Sequence, residues 1–327
     1  MEHRRLGRTG RDVSVIGFGA WAIGGSWGSV DDGDSLRALH AAADAGVTLI
    51  DTADVYGDGR SERVIRQFLS ERRGERFFVA TKIGRRAPLD VREYTPEAFR
   101  GWIDRSRDNL GMATLDLVQL HCLPTQAYYM PELFAALDEL VAEGALAHYG
   151  VSVEKVEEGL KALEFPNVAT IQIVFNAFRQ RPAERMLSEA LRHDVGVLAR
   201  VPLASGLLTG KLRRDTAFEA EDHRLYNRHG ESFDVGETFA GVDYETGLGA
   251  VEELRPLVPD GATLAQLALR WILMHPGITT TIPGARTPDQ ALANAAAADL
   301  PALDDPTMET IGAVYDEHIR PLVHQRW

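Results

Sequence analysis

The chain has 327 residues, of which 45% are hydrophobic, and this is enough apolar material for a large buried core. Lys and Arg total 35 against 48 Asp and Glu, and the resulting net charge of −13 argues against non-specific binding to nucleic acid or anionic membranes. The single cysteine, Cys122, excludes an intramolecular disulfide, and the charged first ten residues contain no signal sequence, so we expect a cytoplasmic protein.

Short apolar runs alternate with amphipathic stretches along most of the chain. Before them, residues 2–6 and 12–16 flank Gly7-Arg8-Thr9-Gly10, which predicts a β-hairpin. The predicted strands are Ile16 to Trp21, Val47 to Asp51, Phe77 to Lys82, Leu115 to His121, His148 to Ser152, Thr170 to Phe175, Gly196 to Val201 and Thr279 to Pro283. The predicted helices run near residues 33–45, 61–72, 96–110, 131–143, 153–163, 183–194, 262–275 and 288–297.

Eight strands that alternate with helices indicate a parallel α/β fold. The chain contains no linker and no change of composition, so we predict one closed (β/α)8 TIM barrel over residues 1–327 rather than a doubly wound sheet. The longest weakly polar run, residues 13–25, is too short and too rich in glycine to span a membrane.

The alternation is interrupted once, between residues 211 and 249. This segment is long, polar and aromatic without clear periodicity, so we expect either a functional lid or a disordered segment, and its position after the seventh strand puts it over the mouth of the barrel. The tail from residue 304 to 327 has a helical pattern and is expected to pack outside the barrel.

The stretch from Gly46 to Glu62 combines a buried strand with two polar groups at its end. Asp51 ends the apolar run, because a carboxylate further inside would be an unpaired buried charge. Tyr56 follows in a glycine-containing loop, and Ser61 is a candidate N-cap for the next helix.

Two further predicted strands end in a polar residue, at Lys82 and at His121. In a parallel barrel these strand ends open on the same face as Asp51 and Tyr56. A phenol beside an ammonium group is suited to giving a proton to a carbonyl oxygen, with Asp51 holding Lys82 and a neutral His121 orienting the carbonyl. The histidines show no metal-binding spacing, and we predict no metal site.

The segment Leu49-Ile50-Asp51-Thr52-Ala53-Asp54-Val55-Tyr56-Gly57 resembles the signature of the aldo-keto reductases. The resemblance implies that Asp51, Tyr56, Lys82 and His121 form the family's catalytic tetrad. It also implies an NADP(H) cofactor and a small-molecule carbonyl substrate.

The residues Gly17-Phe18-Gly19-Ala20-Trp21-Ala22 match the consensus of a dinucleotide-binding fingerprint. That fingerprint should open a helix, but no helical periodicity follows it here. We therefore expect Gly19, Ala20 and Trp21 to border a ligand at the mouth of the barrel instead.

Phosphate sites in barrels commonly follow strands seven and eight, and two late segments resemble the family's NADP-binding loops. The resemblance assigns Gly284 and Arg286 to the adenosine 2′-phosphate and Gln290 and Asn294 to the adenine. It also assigns Gln172 and Ser152 to the nicotinamide carboxamide. The residues predicted to contact the cofactor after strand seven are Arg200, Pro202, Leu203, Ser205, Gly206, Leu208, Gly210, Lys211 and Arg224.

Two positions depart from the family pattern. Val153 stands where the family usually has an asparagine that binds the nicotinamide, and Arg200 stands where it commonly has an aromatic residue that stacks on the ring. A guanidinium can stack on a flat ring, but its charge would disfavour NADP⁺. We therefore predict that Arg200 favours the reduced cofactor.

Two other functions remain open: a cofactor-binding regulatory protein on the same fold with little turnover, and a metal-free isomerase or lyase that uses a Schiff-base lysine. Substrate choice is expected to depend on Trp21, Trp27, Tyr128, Tyr129 and segment 211–249. The sequence predicts no particular oligomeric state.

Overall fold

A small hairpin precedes the main sheet. The structure, a computed structural model, describes residues 1–25 and 31–327. Strands β1 (His3–Arg5) and β2 (Asp12–Ser14) pair antiparallel across the turn at residues 7–10, which confirms the predicted hairpin.

The main sheet has eight parallel strands, each paired with its neighbour in the chain. The two edges also meet, because the Gly17 amide donates to the Thr281 carbonyl at 2.8 Å and the Gly19 amide to that of Pro283 at 3.0 Å. The sheet is therefore a closed barrel, as predicted. Its strands are β3 (Phe18–Gly19), β4 (Leu49–Asp51), β5 (Phe78–Ile83), β6 (Leu115–His121), β7 (Leu146–Ser152), β8 (Val168–Val174), β9 (Gly196–Arg200) and β10 (Thr280–Thr281).

Helices follow the strands, and most of them cover the outside of the barrel. Those within residues 1–25 and 31–327 are α1 (Asp32–Asp44), α2 (Arg60–Glu71), α3 (Pro96–Leu110), α4 (Pro131–Ala142), α5 (Val156–Ala162), α6 (Met186–Arg192), α7 (His223–Tyr226), α8 (Tyr244–Leu254), α9 (Leu264–Leu273), α10 (Pro288–Ala296), α11 (Asp305–Val314) and α12 (Arg320–Val323). In α3 the boundaries follow from sequence chemistry. Thr95 caps the first turn by accepting from the Ala98 amide at 3.2 Å, and Gly111 ends the helix with φ of +67°.

The hairpin closes the end of the barrel opposite the carboxyl ends of the strands. Leu6, at the start of the hairpin turn, is fully buried inside the sheet against the apolar side chains of several strands. Gly196 makes this possible, because a Cβ there would lie 2.6 Å from the Leu6 side chain. With this end filled, the carboxyl ends of the strands are left to form the site.

Two helical segments differ from the sequence prediction. The helix expected at 183–194 is split into a turn at Arg181–Glu184 and α6. Segment 211–249 contains α7, turns at Val235–Glu237 and Phe239–Gly241, and the start of α8. The sequence does not predict the start of α8, because its apolar periodicity is weak. The tail is helical as expected, with a π-helical turn at Tyr315–Ile319. Within residues 1–25 and 31–327, no helix has the length and apolar character needed to cross a membrane.

Candidate active site

The four residues of the predicted tetrad lie at the carboxyl end of the barrel. Asp51 is the last residue of β4, Lys82 lies near the end of β5 and His121 is the last residue of β6, while Tyr56 is in the loop after β4. Parallel neighbours bring these strand ends together, since Asp51 pairs with Ala80 and Lys82 pairs with Gln119.

Lys82 is the centre of the cluster. Its Nζ lies 2.6 Å from Asp51 Oδ2, 2.8 Å from the Thr52 carbonyl and 3.3 Å from the Tyr56 hydroxyl. The side chains of Lys82 and Asp51 are only 1% and 4% exposed. The ammonium group is therefore held by a carboxylate on one side and contacts the phenol on the other.

The protonation states follow from burial and from these contacts. Burial alone would lower the pKa of Lys82, but Asp51 and Tyr56 outweigh it, so the pKa is raised and the ammonium form is favoured. Burial raises the pKa of Tyr56, and Lys82 opposes this only in part. Burial is the larger of the two effects, and the sequence does not reveal it; Tyr56 therefore holds its proton firmly.

His121 is neutral at physiological pH. Burial, together with the positive charges of Arg85 and Lys82, lowers its pKa well below the usual value. Its ring lies edge-on to that of Tyr56, with centroids 6.0 Å apart. The phenol and the imidazole therefore border one small space.

The loop that carries Tyr56 is held by close backbone packing. A Cβ on Gly57 would lie 2.3 Å from the Gly24 carbonyl oxygen, so a side chain cannot be accommodated there. Ser61 is not the cap that the sequence suggested, because Gly59 occupies the N-cap position of α2. The Ser61 hydroxyl instead bonds to the Thr52 hydroxyl at 2.8 Å and to the Ala20 carbonyl at 3.1 Å, which ties the Tyr56 loop to β3.

Aromatic side chains form one wall of the site. The Trp21 ring is stacked with that of Tyr56, with ring centroids 6.1 Å apart. The Trp21 centroid also lies 4.6 Å from that of His223 and 6.0 Å from that of Phe233. His223 and Phe233 belong to segment 211–249, so this segment covers the mouth of the barrel beside the tetrad.

The other residues expected to set substrate choice lie elsewhere. Tyr128 is buried, with its hydroxyl 3.5 Å from the Ser152 carbonyl. Tyr129 is 64% exposed, and the Lys161 ammonium lies over its ring. We therefore remove both from the set of substrate-determining residues. Trp27 lies outside the described residues.

Four charged side chains, which do not stand together in the sequence, form a cluster that reaches His121 through Arg85. Arg200 Nη2 is 2.8 Å from Glu154 Oε2, and its Nη1 is 3.7 Å from Glu237. Arg85 forms a two-point ion pair with Glu237 and lies 3.4 Å from Glu154. We call Arg85, Glu154, Arg200 and Glu237 the charged quartet.

The charged quartet changes the electrostatics expected at Arg200. Burial raises the pKa of Glu154 to about 7 even though Arg200 opposes it, whereas Arg85 and Arg200 together hold the pKa of Glu237 well below its usual range. The positive charge of Arg200 is thus compensated by neighbouring carboxylates. The predicted bias against NADP⁺ is correspondingly smaller than for a lone guanidinium.

The residues that the family resemblance assigned to the nicotinamide lie at adjoining strand ends. Ser152 ends β7 and is fully buried, and Gln172 is in β8. Gln172 Nε2 donates to Asp51 Oδ1 at 2.7 Å. Gln172 therefore contacts the tetrad directly.

The late loop adjoins the first strand of the barrel. Gly19 forms a parallel bridge with Gly284, and Asn294 Nδ2 donates to the Gly284 carbonyl at 3.1 Å. Gln290 Oε1 accepts from the Arg286 amide at 2.8 Å, so the four predicted residues of this loop form one structure before and within α10. Ala20, predicted with Gly19 and Trp21, is fully buried, and its amide donates to the Asp51 carbonyl.

The segment after β9 is a tight turn linked to the lid. Ser205 has φ of +51° and Gly206 has φ of +102°, and the Ser205 hydroxyl bonds to the Glu237 carbonyl at 3.1 Å. Arg224 is paired with Asp222 at 2.5 Å. The remaining predicted positions are Pro202 and Leu208, which are buried, Leu203 and Gly210, which are partly exposed, and Lys211, which is exposed.

Comparisons with known proteins agree with this architecture. A sequence profile of the aldo/keto reductase family matches residues 15–316. The chain is 31% identical to the aldo-keto reductase YhdN of Bacillus subtilis (strain 168), covering 89% of this chain and 86% of that protein. It is 30% identical to a probable voltage-gated potassium channel subunit beta of Oryza sativa subsp. japonica, covering 96% of each.

Solved structures show the same fold. The glycerol dehydrogenase of Gluconobacter oxydans superposes with a TM-score of 0.77 at 30% identity, covering 94% of this chain and 93% of that chain. An aldo-keto reductase of Klebsiella pneumoniae in complex with NADPH superposes with a TM-score of 0.70 at 25% identity, covering 96% and 95%.

Proposed function

Because the chain belongs to the aldo/keto reductase family, we propose that it is an NADP(H)-dependent oxidoreductase that reduces an aldehyde or ketone and reversibly oxidises the alcohol. The observation that carries the proposal is the position of Lys82 Nζ, 2.6 Å from Asp51 Oδ2 and 3.3 Å from the Tyr56 hydroxyl. A phenol beside a fixed cation is suited to proton transfer at a carbonyl oxygen.

Each member of the tetrad has a distinct role in this proposal. Tyr56 is the general acid of reduction and the general base of alcohol oxidation. Lys82 stabilises the phenolate that Tyr56 becomes after it has given up its proton, and Asp51 keeps Lys82 charged and in place. His121 borders the substrate carbonyl as a neutral imidazole.

The residues at the mouth of the barrel fit a nicotinamide dinucleotide. Gln172 offers a buried amide bonded to Asp51, and Ser152 offers a buried hydroxyl at the end of β7, for the carboxamide. The N-terminus of α10, nine residues long, and the neighbouring Arg286 offer a dipole and a charge for the 2′-phosphate. When bound, the cofactor supplies the hydride; the chain itself orients the carbonyl and moves the proton.

We propose that residues 1–327 form one barrel domain, since Trp327 packs on the lid and its indole donates to Asp234 at 2.9 Å. The proposed substrate is a small-molecule carbonyl compound, and the proposed location is the cytoplasm, in keeping with the single cysteine.

The proposal is tested by cofactor titration followed by turnover. NADPH and NADH are titrated by fluorescence, and NADPH oxidation is then followed with a panel of aldehydes and ketones. We expect Tyr56→Phe to lower kcat by about 10²–10⁴-fold while the Kd for NADPH stays unchanged, because only the proton donor is lost. A Tyr56→Phe variant with wild-type turnover would contradict the assigned role.

A second candidate, a cofactor-binding regulatory protein with little turnover, is favoured by the similarity to the rice channel subunit. The two functions differ in the number of turnovers. A single burst of NADPH oxidation in every substrate test supports the regulatory protein, whereas sustained turnover supports the enzyme.

A further inference from the structure

Five side chains form a closed ring of neighbours at the tetrad. The Tyr56 ring adjoins those of His121 and Trp21, with centroids 6.0 Å and 6.1 Å apart. The Trp21 and Phe233 centroids are 6.0 Å apart, and the Arg85 guanidinium carbon lies 5.8 Å from the Phe233 centroid. Arg85 Nη1 lies 3.5 Å from His121 Nε2, which completes the ring. We call these five side chains the rim.

Arg85 is the charged member of the rim, because His121 and Tyr56 are neutral at physiological pH. In the proposed reaction the substrate carbonyl reaches Tyr56 and His121, so the substrate lies beside the rim. Arg85 contacts His121 directly. A charge on the substrate next to its carbonyl group therefore interacts with Arg85 and with the ionic partners of Arg85.

Glu237 compensates the charge of Arg85 from the lid. Its carboxylate accepts from both terminal nitrogens of Arg85, and its side chain is only 5% exposed. The Ser205 hydroxyl donates to the Glu237 carbonyl at 3.1 Å, which holds this part of the lid in place. Glu154 accepts from Arg85 at 3.4 Å and from Arg200 at 2.8 Å. Two carboxylates thus face two guanidinium groups, and the terminal N–H groups of Arg85 already have partners.

An anionic substrate finds no free counter-charge in this arrangement. Its carboxylate would be a third negative group beside two guanidinium groups, and a buried charge without a partner is costly. If it displaced Glu237 from Arg85, the Glu237 carboxylate would in turn be left buried and unpaired. A neutral carbonyl compound incurs neither cost.

We propose that Glu237 is a specificity-determining residue, whose negative charge makes the site select neutral carbonyl compounds over anionic ones such as 2-oxo acids. The proposal rests on the proposed carbonyl reduction. Glu237 takes no part in the transfer of the hydride or the proton. It acts through its charge on Arg85, so segment 211–249 sets the charge of the accepted substrate.

The test compares pyruvate with its neutral methyl ester. Both compounds carry a ketone next to the carboxyl carbon, and they differ by one negative charge at that carbon. The kcat/KM of each is measured on the same enzyme preparation at saturating NADPH, and the preference is the ratio of ester to acid. A compound that is not reduced is measured as an inhibitor of the best substrate of the carbonyl panel, and the ratio of Ki values then takes the place of that of kcat/KM.

Glu237→Gln keeps the size of the side chain and removes its charge. We expect the wild type to prefer the ester and Glu237→Gln to lower this preference by about 10–100-fold, because Arg85 then carries an uncompensated charge. Glu221→Gln is the matched control, since Glu221 is an exposed carboxylate of the same segment and its loss changes the net charge equally. A wild type that prefers pyruvate, or a preference that is the same in Glu237→Gln and Glu221→Gln, would overturn the proposal.

Arg85→Gln gives the opposite sign. The Glu237 carboxylate then lacks its main partner, so the preference for the ester should rise above that of the wild type. The double variant Arg85→Gln/Glu237→Gln should return towards the wild-type ratio, because both charges are gone. A partly unfolded variant would lower both kcat/KM values together and leave their ratio unchanged. Ratios that change in the same direction in the two single variants would contradict the proposal.

The proposed function and the role of Glu237 fail in different ways. A wild-type protein that turns over no carbonyl compound with NADPH contradicts the proposed function. A wild-type protein that turns over carbonyl compounds, with the same ester-to-acid ratio as Glu237→Gln, contradicts only the role of Glu237.

Discussion

The buried ion pair between Asp51 and Lys82 predicts a large loss of stability in Asp51→Asn. The substitution keeps the shape of the side chain and removes its charge. Asp51 accepts from Lys82 on Oδ2 at 2.6 Å and from Gln172 on Oδ1 at 2.7 Å. An asparagine has one acceptor oxygen, so its NH₂ group must face one of these two donors.

The expected magnitude follows from the burial of both partners. Removing one member of a buried ion pair costs about 3–5 kcal/mol, because the other charge is left without compensation. For large domains about 2–4 °C of Tm corresponds to each kcal/mol, so we expect the Tm to fall by roughly 6–20 °C. The loss should shrink at high pH, where Lys82 in the variant can shed its proton.

Thermal unfolding followed by circular dichroism measures this effect. Asp58→Asn is the matched control, since Asp58 pairs with Arg86 and Arg105 but is 74% exposed, and exposed ion pairs contribute little. A fall in Tm no larger for Asp51→Asn than for Asp58→Asn would refute the reasoning. Equal losses at neutral and high pH would show that an uncompensated Lys82 charge is not the cause.

Three further variants have distinct expected outcomes. Burial, reinforced by Glu62, raises the pKa of Asp54 from 3.8 to about 7, so the stability that its bound proton provides is present below about pH 4 and is lost as the pH rises through about 7. We expect Asp54→Asn to raise the free energy of unfolding by up to about 4 kcal/mol near pH 8 and little near pH 4, as measured by urea denaturation. Arg200→Tyr removes a positive charge that Glu154 and Glu237 only partly compensate, so it should lower the Kd for NADP⁺ relative to NADPH by up to roughly tenfold. Arg286→Met should weaken NADPH binding by about 10–100-fold and leave NADH binding unchanged, as titrated by fluorescence.

Each of these variants has its own control. Asp289→Asn changes an exposed carboxylate and should show no difference in stability between the two pH values. Arg200→Lys keeps the charge, so a cofactor ratio that changes equally in Arg200→Lys and Arg200→Tyr would rule out the electrostatic explanation. A parallel loss of NADPH and NADH binding in Arg286→Met would contradict a contact with the 2′-phosphate.

The tetrad and the barrel could be predicted from the sequence because local patterns of apolar and polar residues determine both. An apolar run that ends in a single polar residue marks a strand end, and parallel strands bring all such ends to one face. Asp51, Lys82 and His121 each follow that rule. The predicted strand β6 matches the observed Leu115–His121 at both ends.

The charged quartet was only partly accessible. Arg85 and Glu154 follow predicted strand ends by two or three residues, so a search that included the residues just after each strand would have found them. Glu237 carries no such signal, because it lies in an irregular segment and meets Arg85 across 152 positions of the chain. Only tertiary packing, including that of Gly236 on Trp327, brings it to the site.

The placement of Glu237 explains why a lid of polar residues suits this barrel. Arg85 and Arg200 lie at the mouth with Glu154 as the carboxylate supplied by the barrel itself, and burial raises the pKa of Glu154 to about 7. Without Glu237, the two guanidinium groups would share one weakly charged carboxylate, and such an arrangement attracts anions. Glu237, which segment 211–249 supplies, compensates both cations and holds Arg85 beside His121. The position of this segment therefore determines how much positive charge the mouth of the barrel presents.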